Sequence, residues 1–347
     1  MDTFKKIAPG ILLCFIIAVP SWILGNSFSV IGGPVFGILI GILITMLFPK
    51  LLTKNVFGSV YILQDGVGYT AKKLLQYAII LLGFGLNLYT VFAVGGQSLF
   101  IIFFTLSATF LTAFLVGKLL QLDGVMTTLI GVGTAICGGS AIAATAPIIN
   151  AKDEDIVHAI STIFLFNILA VFIFPALGHF LHLGDTGFGM WAGTAINDTS
   201  SVVAAATSWS TSVGNNTALT VATVVKLTRT LMIVPIALVL AFYMTQVNKK
   251  GVSERHTFHF SKVFPWFVLG FVAASIITTF IPMSSSVSYF LVSLGKFIIV
   301  MAMSAIGLNT HLKKLLKNGI RPITVGLFCW FAVAVVSLLV QMSMKVW

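Results

Sequence analysis

Gly133-Thr134-Ala135-Ile136-Cys137-Gly138-Gly139-Ser140 is nearly repeated sixty residues later as Gly193-Thr194-Ala195-Ile196-Asn197-Asp198-Thr199-Ser200. Both runs lie inside long apolar segments. In hydrocarbon there is no water to satisfy freed backbone groups, so an unwound helix persists only inside protein or beside a wet cavity. Paired interruptions of this kind are a sequence pointer to the substrate site of a secondary transporter. The match extends at the same offset to Ala144/Ala204 and Pro175/Pro235.

The surrounding composition fits that reading. Of 347 residues, 58% are hydrophobic and 8% are charged, against about 25% charged in soluble domains. The apolar blocks are roughly 20 residues long, the length that crosses a bilayer as a helix. Alternation of the outer-membrane barrel type is absent from them. The expected fold is therefore an all-α integral membrane protein of about eleven transmembrane helices. They are placed at about 8–25, 30–48, 75–93, 99–117, 124–149, 156–180, 187–208, 217–245, 264–282, 287–308 and 322–344. The first is read as a retained helix, since it lacks a small-residue cleavage site. The lysine-bearing segment 51–74 is expected to lie along the membrane interface.

Placement of charge gives an orientation. With the N-terminus inside, fifteen Lys and Arg fall on the inner side, including Lys118 and the basic stretch 247–262. Two (Lys152 and Lys345) fall outside, and Lys226, Arg229 and Lys296 fall within the membrane. Basic residues collect on the cytoplasmic side, so the expectation is N-inside, C-outside in a bacterial inner membrane. The net charge of +11 is then a topology signal and not a sign of nucleic-acid binding. Cys14, Cys137 and Cys329 sit in apolar segments and build neither a disulfide framework nor a metal site. No cofactor is expected.

A second, shorter repeat pairs Gly85-Leu86-Asn87 with Gly307-Leu308-Asn309. The copies lie seven places apart in the helix order, so they point in opposite directions, as in the inverted repeats of alternating-access carriers. The same arithmetic makes the two longer repeats run parallel. Either one copy is re-entrant, or both share a local need for small residues.

Asp198 lies mid-helix, where a carboxylate costs about 2.5–3.5 kcal/mol on insertion scales and is functional by default. With Asn197 and Thr199 it could carry a proton or ligate Na⁺; an internal salt bridge is the bland alternative. Lys226 and Arg229 share one helix face and carry positive charge that needs an anion. Arginine suits an oxyanion through paired hydrogen bonds; snorkelling towards an interface is the competing reading. Cys137, Gly138, Gly139 and Ser140 offer backbone amides where a helix restarts, or simply close packing. Asn197, Thr199, Ser200 and Ser201 would frame the same ligand, and Lys296 would balance Asp198 or belong to the moving element. Asn87, Asn167 and Asn309 are membrane amides that need partners, and His158 reads as interfacial.

At Gly133–Pro147, Gly193–Ala206 and the Lys226/Arg229 helix the chain resembles a bacterial membrane-protein family usually labelled sulfate exporters. That family is grouped with bile-acid, arsenite and auxin-type carriers and cation/proton antiporters. The resemblance implies a single transporter unit with a core domain of crossing broken helices and a panel domain. It would divide this chain into panel-like elements at about 1–74 and 264–285 and core-like elements at about 75–245 and 287–347. Asn197-Asp198 looks like the ion-binding pair of electroneutral sodium/proton antiporters, and Lys296 like the lysine on a late core helix.

The expected function is secondary active transport of a small anion, sulfate- or sulfonate-like, coupled to H⁺ or Na⁺. Lys226 and Arg229 would hold the anion and Asp198 the coupling ion. The alternative is a cation/proton antiporter using Asp198, with the basic pair structural. An enzyme is not expected, since no HExxH, GxSxG or nucleotide loop occurs. Partners would be the anion, the coupling ion and the lipid bilayer; a homodimer is left open.

Overall fold

The computed structural model describes residues 2–28, 32–49, 52, 62–248, 264–281, 283–310 and 319–347. The basic runs around 249–262 and 311–318, and the first part of the expected interfacial segment, lie outside these residues. All the regular elements described are helical. In chain order they are α1 (Asp2–Ser27), α2 (Gly33–Leu47), α3 (Ile62–Tyr69), α4 (Leu75–Gly83), α5 (Leu88–Leu119), α6 (Gly124–Ala135), α7 (Gly139–Thr145) and α8 (Asp153–Phe180). There follow α9 (Asp185–Ala195), α10 (Thr199–Val213), α11 (Thr217–Leu231), α12 (Ile233–Asn248), α13 (Trp266–Phe280), α14 (Ser285–Asn309) and α15 (Ile320–Ser343).

Among the described residues, six helical stretches are long and apolar enough to cross a membrane: Lys6–Ser27, Leu88–Leu119, Asp153–Phe180, Thr217–Leu240, Ser285–Asn309 and Ile320–Ser343. Their outward faces carry large apolar side chains, such as Phe92, Phe103 and Phe114 on α5, which water would not tolerate in such a continuous belt. This is a multi-pass membrane protein.

Between α3 and α5 the helices differ from the sequence expectation. α3 and α4 are joined by a π-helical turn at Thr70–Leu74, giving one helix from Ile62 to Gly83. Residues 62–74 therefore do not form a separate interfacial segment. Val67 and Thr70 are fully buried, and a Cβ on Gly10 of α1 would lie 2.6 Å from the Gly66 Cα, so the backbones of α1 and α3 touch. Small residues at both positions permit that approach. The helix ends at Phe84–Asn87, where Asn87 caps α5 by accepting from the Tyr89 amide at 2.8 Å. What reads as helices at 75–93 and 99–117 is the end of one helix and the 32 residues of α5.

The elements fall into two packed groups. α1–α4, α13 and α14 form one, and α5–α12 with α15 form the other; α10 is the main bridge, lying against α2 and α14. We refer to the first group as the panel and to the second as the core. α4 and α14, expected in the core, pack instead with α1, α2 and α13. Gly37 of α2 lies against Ser304, and Gly295 of α14 lies against the Ala78 carbonyl of α4.

Within the core, the two repeated segments are not spans. α9 is 11 residues, about 16 Å at 1.5 Å per residue. After the break at Ile196–Asp198, α10 returns alongside it. Trp209, near the end of α10, donates its indole N–H to Asp185 at the start of α9 at 2.8 Å. Its ring also stacks on Phe188 at 4.1 Å. α9 and α10 are therefore a re-entrant hairpin, hairpin 2.

α6 and α7 make hairpin 1. Gly133 lies against Ile163 of α8, Gly138 against Ile163 and Asn167, and Gly139 against Ile160. The chain thus advances along α8 to its break and then turns back. Met126, Leu129, Ile142, Ala146 and Ile149 close one apolar cluster with Ala159 and Ile163. α8 runs past hairpin 1 and on to hairpin 2, where Gly178 meets Phe188 and Trp209. The two hairpins therefore enter from opposite ends of α8, and their tips meet midway. Lys152, expected opposite Lys118, falls on the same face as Lys118, because hairpin 1 returns where it began.

Candidate functional site

The tips meet because one helix holds both. α11 lies along α9, with Gly189 against Val221 and Gly193 against Val225, and α12 continues towards α7, where Ile233 packs with Ile136, Cys137 and Ala141. Lys226 and Arg229 lie on α11 at the crossing, both fully buried. The Lys226 ammonium donates to the Ile136 carbonyl at 2.9 Å, the Ile196 carbonyl at 3.1 Å and the Asn197 carbonyl at 2.5 Å. Arg229 donates through Nε to Ala135 at 2.6 Å, through Nη1 to Ile196 at 3.2 Å and through Nη2 to Thr134 at 2.5 Å.

Every one of these acceptors is in or beside the repeated Gly-Thr-Ala-Ile run. A helix leaves its last carbonyls unpaired, and its C-terminus carries roughly half a negative charge. α6 and α9 both end in the middle of the molecule, so two such ends converge, and the two cations satisfy them. The repeat is the last turn of each inward-going arm, and the cation pair is its common cap.

An ammonium has three donors, and all three of Lys226 are engaged with carbonyls. The expectation that Lys226 and Arg229 hold the substrate meets this arrangement of donors. Lys226 has no donor left, and the guanidinium is turned on the hairpin backbones. Their charge still acts on the site through its field.

The returning arms start differently. Asp198 caps α10: its Oδ2 accepts from the Ser200 amide at 2.9 Å and from the Ser200 hydroxyl. The Asp198 amide donates to Asn167 Oδ1 at 3.1 Å, which ties α8 to the tip of hairpin 2. On hairpin 1, Gly138 has φ +69°, a left-handed conformation that glycine adopts without steric penalty. A Cβ there would meet Asp198 Cβ at 3.5 Å. Asp198, Thr199 and Gly139 are half-buried and Ser140 is exposed, while Asn197, Ser200 and Ser201 are buried. Cys137 is a buried free thiol packed with Ile136 and Ile233.

Sequence reading named eleven of these residues and flagged Asn167 without a role. It passed over Thr134. The Thr134 hydroxyl is buried with no hydrogen-bond partner among the described residues, as are both Oδ1 and Nδ2 of Asn197. The corresponding Thr194 hydroxyl bonds Met190 and Ser337. Unpaired polar atoms are rare inside proteins and call for an explanation.

Lys296 is elsewhere. Its ammonium meets Asn216 Oδ1 at 2.5 Å, in the turn after α10. α10 has 15 residues, which sets that turn about 22 Å from Asp198. Lys296 does not balance Asp198. Asn309 accepts from Gln64 at 3.2 Å.

The fold and this crossing define a multi-pass membrane protein built around two opposed re-entrant hairpins. Residues 9–326 match the family described as Conserved hypothetical protein 698, and the chain belongs to that family. It is 49% identical over 347 residues to a UPF0324 membrane protein of Streptococcus agalactiae serotype V, covering 99% of each chain. A UPF0324 membrane protein of Fusobacterium nucleatum is also 49% identical, over 96% of each chain. One from Streptococcus mutans serotype c is 49% identical over 348 residues. No solved structure matches.

Proposed function

We propose that the protein is a secondary active transporter of a small anion of the sulfate or sulfonate kind, coupled to H⁺ and working by alternating access. The observation that carries this reading is the charge balance at the hairpin tips. Two cations are fully buried there, and Asp198 is the carboxylate beside them. The two helix C-termini that the cations cap and the two N-termini where α7 and α10 begin carry roughly half a charge each, of opposite sign. About one unit of positive charge therefore remains for an anion to offset in a low-dielectric interior.

An anion supplies the balance. With Lys226 spent on carbonyls, its contacts would come from the Asn197 amide, the hydroxyls of Thr199, Ser200 and Ser201, and the backbone at Gly139-Ser140. Asp198 stands at the accessible side of this group. Ionised, it repels an incoming anion; protonated, it does not. A proton and the anion would therefore bind together.

The hairpins and the spans that follow them form two units, 124–180 and 184–240, related by the sixty-residue offset and opposite in direction. We read them as an inverted repeat of the kind that alternating access uses. It also removes the difficulty of two parallel copies. Asn87 and Asn309 end panel helices in the same opposed sense. The N-inside, C-outside inner-membrane orientation is part of this proposal, and Lys152 strengthens it by joining the basic face.

One observation favours the second reading, a cation/proton antiporter. The unpaired Asn197 Oδ1 beside Asp198 is the oxygen-rich environment that a hard cation selects. Proteoliposomes carrying a pH-sensitive dye separate the two. Proton movement driven by a sulfate gradient and lost in Asp198→Asn supports the anion carrier. Proton movement driven by Na⁺ and indifferent to sulfate supports the antiporter. Silence under both gradients rejects both.

A further inference from the structure

We infer that Lys296 and Asn216 form a latch that closes a cleft between panel and core. The inference rests on the carrier reading, since a latch matters only if the two groups part.

The cleft has a volume of about 40 Å³ and is lined by Leu82, Gly85 and Val292 from the panel and by Asn216, Thr220 and Thr223 from the core. Lys296 lies one turn along α14 from Val292, and its ammonium reaches across to Asn216. Asn216 occupies the N-cap position of α11. An asparagine there ordinarily turns its carbonyl oxygen onto the first free amides of its own helix.

Here it does not. The Thr217 amide is met by Asn215 Oδ1 at 2.9 Å and the Leu219 amide by Ser210 Oγ at 3.1 Å. Its neighbours carry the capping, and Asn216 is left to accept from the panel lysine. A hydrogen bond with an ionised donor is stronger than a neutral one, yet its atoms lie in an exposed pair, where water can replace either partner. It can hold and release.

The turn also connects to the site. Asn215 Nδ2 donates to Asp185 Oδ2 at 2.7 Å, and Asp185 accepts from Trp209, so the contact grips hairpin 2 at its open end. α10 then runs directly from this turn to Asp198.

The test uses Thr220→Cys as a reporter in the full-length protein, labelled with a membrane-impermeant maleimide and read by peptide mass spectrometry. Lys296→Gln should raise the labelling rate roughly fivefold, the factor matching one hydrogen bond of ordinary net strength. Asn216→Asp, which makes the contact an ion pair, should lower it below the parent. Opposite responses of these two variants support the latch, and unchanged labelling in both overturns it. Because labelling needs no substrate, opposite responses in a protein that moves no protons under sulfate or Na⁺ gradients would retain the latch and remove the carrier reading.

Discussion

Hairpins 1 and 2 present the same Gly-Thr-Ala-Ile turn to the same two cations, and behind that turn they are held very differently. In hairpin 2 the returning arm is 15 residues, and Ser200–Ser210 are all buried. Its open end is clamped by Asp185 to Trp209 and Asn215 and by a stack of Phe188, Trp209 and His179 at 4.1 and 4.0 Å. In hairpin 1 the returning arm is 7 residues. It begins at an uncapped glycine, exposes Ser140, and packs through small and aliphatic side chains. Segments with few buried contacts open at lower free energy. The contrast predicts that hairpin 1 opens more readily than hairpin 2.

Four substitutions can break or sharpen that contrast. Lys226→Ala should have the largest effect, because it leaves carbonyls of both tips unpaired at once. Each buried carbonyl left unpaired costs about 1–3 kcal/mol, and the melting temperature in detergent should fall accordingly. If only one hairpin gains amide exchange, the shared cap is not shared.

Trp209→Ala should come next, at about 3 kcal/mol, the lower end for a buried aromatic truncated to alanine. Hydrogen exchange should rise in α9 and α10 towards the level of α7 and leave α7 unchanged. Equal rises in both hairpins would mean that the clamp is not local to hairpin 2. Gly138→Ala should cost about 1–3 kcal/mol, since φ 69° with ψ −131° is a sparsely populated conformation for a residue with a Cβ, with the added exchange confined to hairpin 1. Asp198→Asn should be the mildest for stability, under about 1 kcal/mol, since asparagine also caps a helix N-terminus well. Its signature would be functional: sulfate-driven proton movement should disappear while the thermal melt barely shifts.

Much of this was readable from residues alone. Composition and block length gave the membrane class, and the polar runs at 133–140 and 193–200 marked the two breaks. The directions of the arms were not readable. Twelve residues of α6 followed by seven of α7 have the combined length of a span, and hydropathy does not record whether a chain continues or turns back. The parallel repeats were the signal, since re-entry restores their opposition.

The partners of Lys226 and Arg229 were hidden for a different reason. Sequence shows charged side chains and suggests that they pair with one another. It does not show a backbone carbonyl at a helix end, which is the partner here. Lys296 was misplaced because a lysine in mid-segment says nothing about which neighbour its helix packs against. Thr134 could have been found. It matches Thr194 in the repeat, and a buried hydroxyl at both positions invites the question of what each one bonds.

Opposed entry of the hairpins is the claim on which the site depends, and sealed vesicles test it directly. Lys152→Cys marks the open end of hairpin 1 and Val213→Cys that of hairpin 2, both at exposed positions. An impermeant thiol reagent applied to right-side-out and inverted vesicles should label each from one side only, and from opposite sides. Labelling of both from the same side would contradict the account.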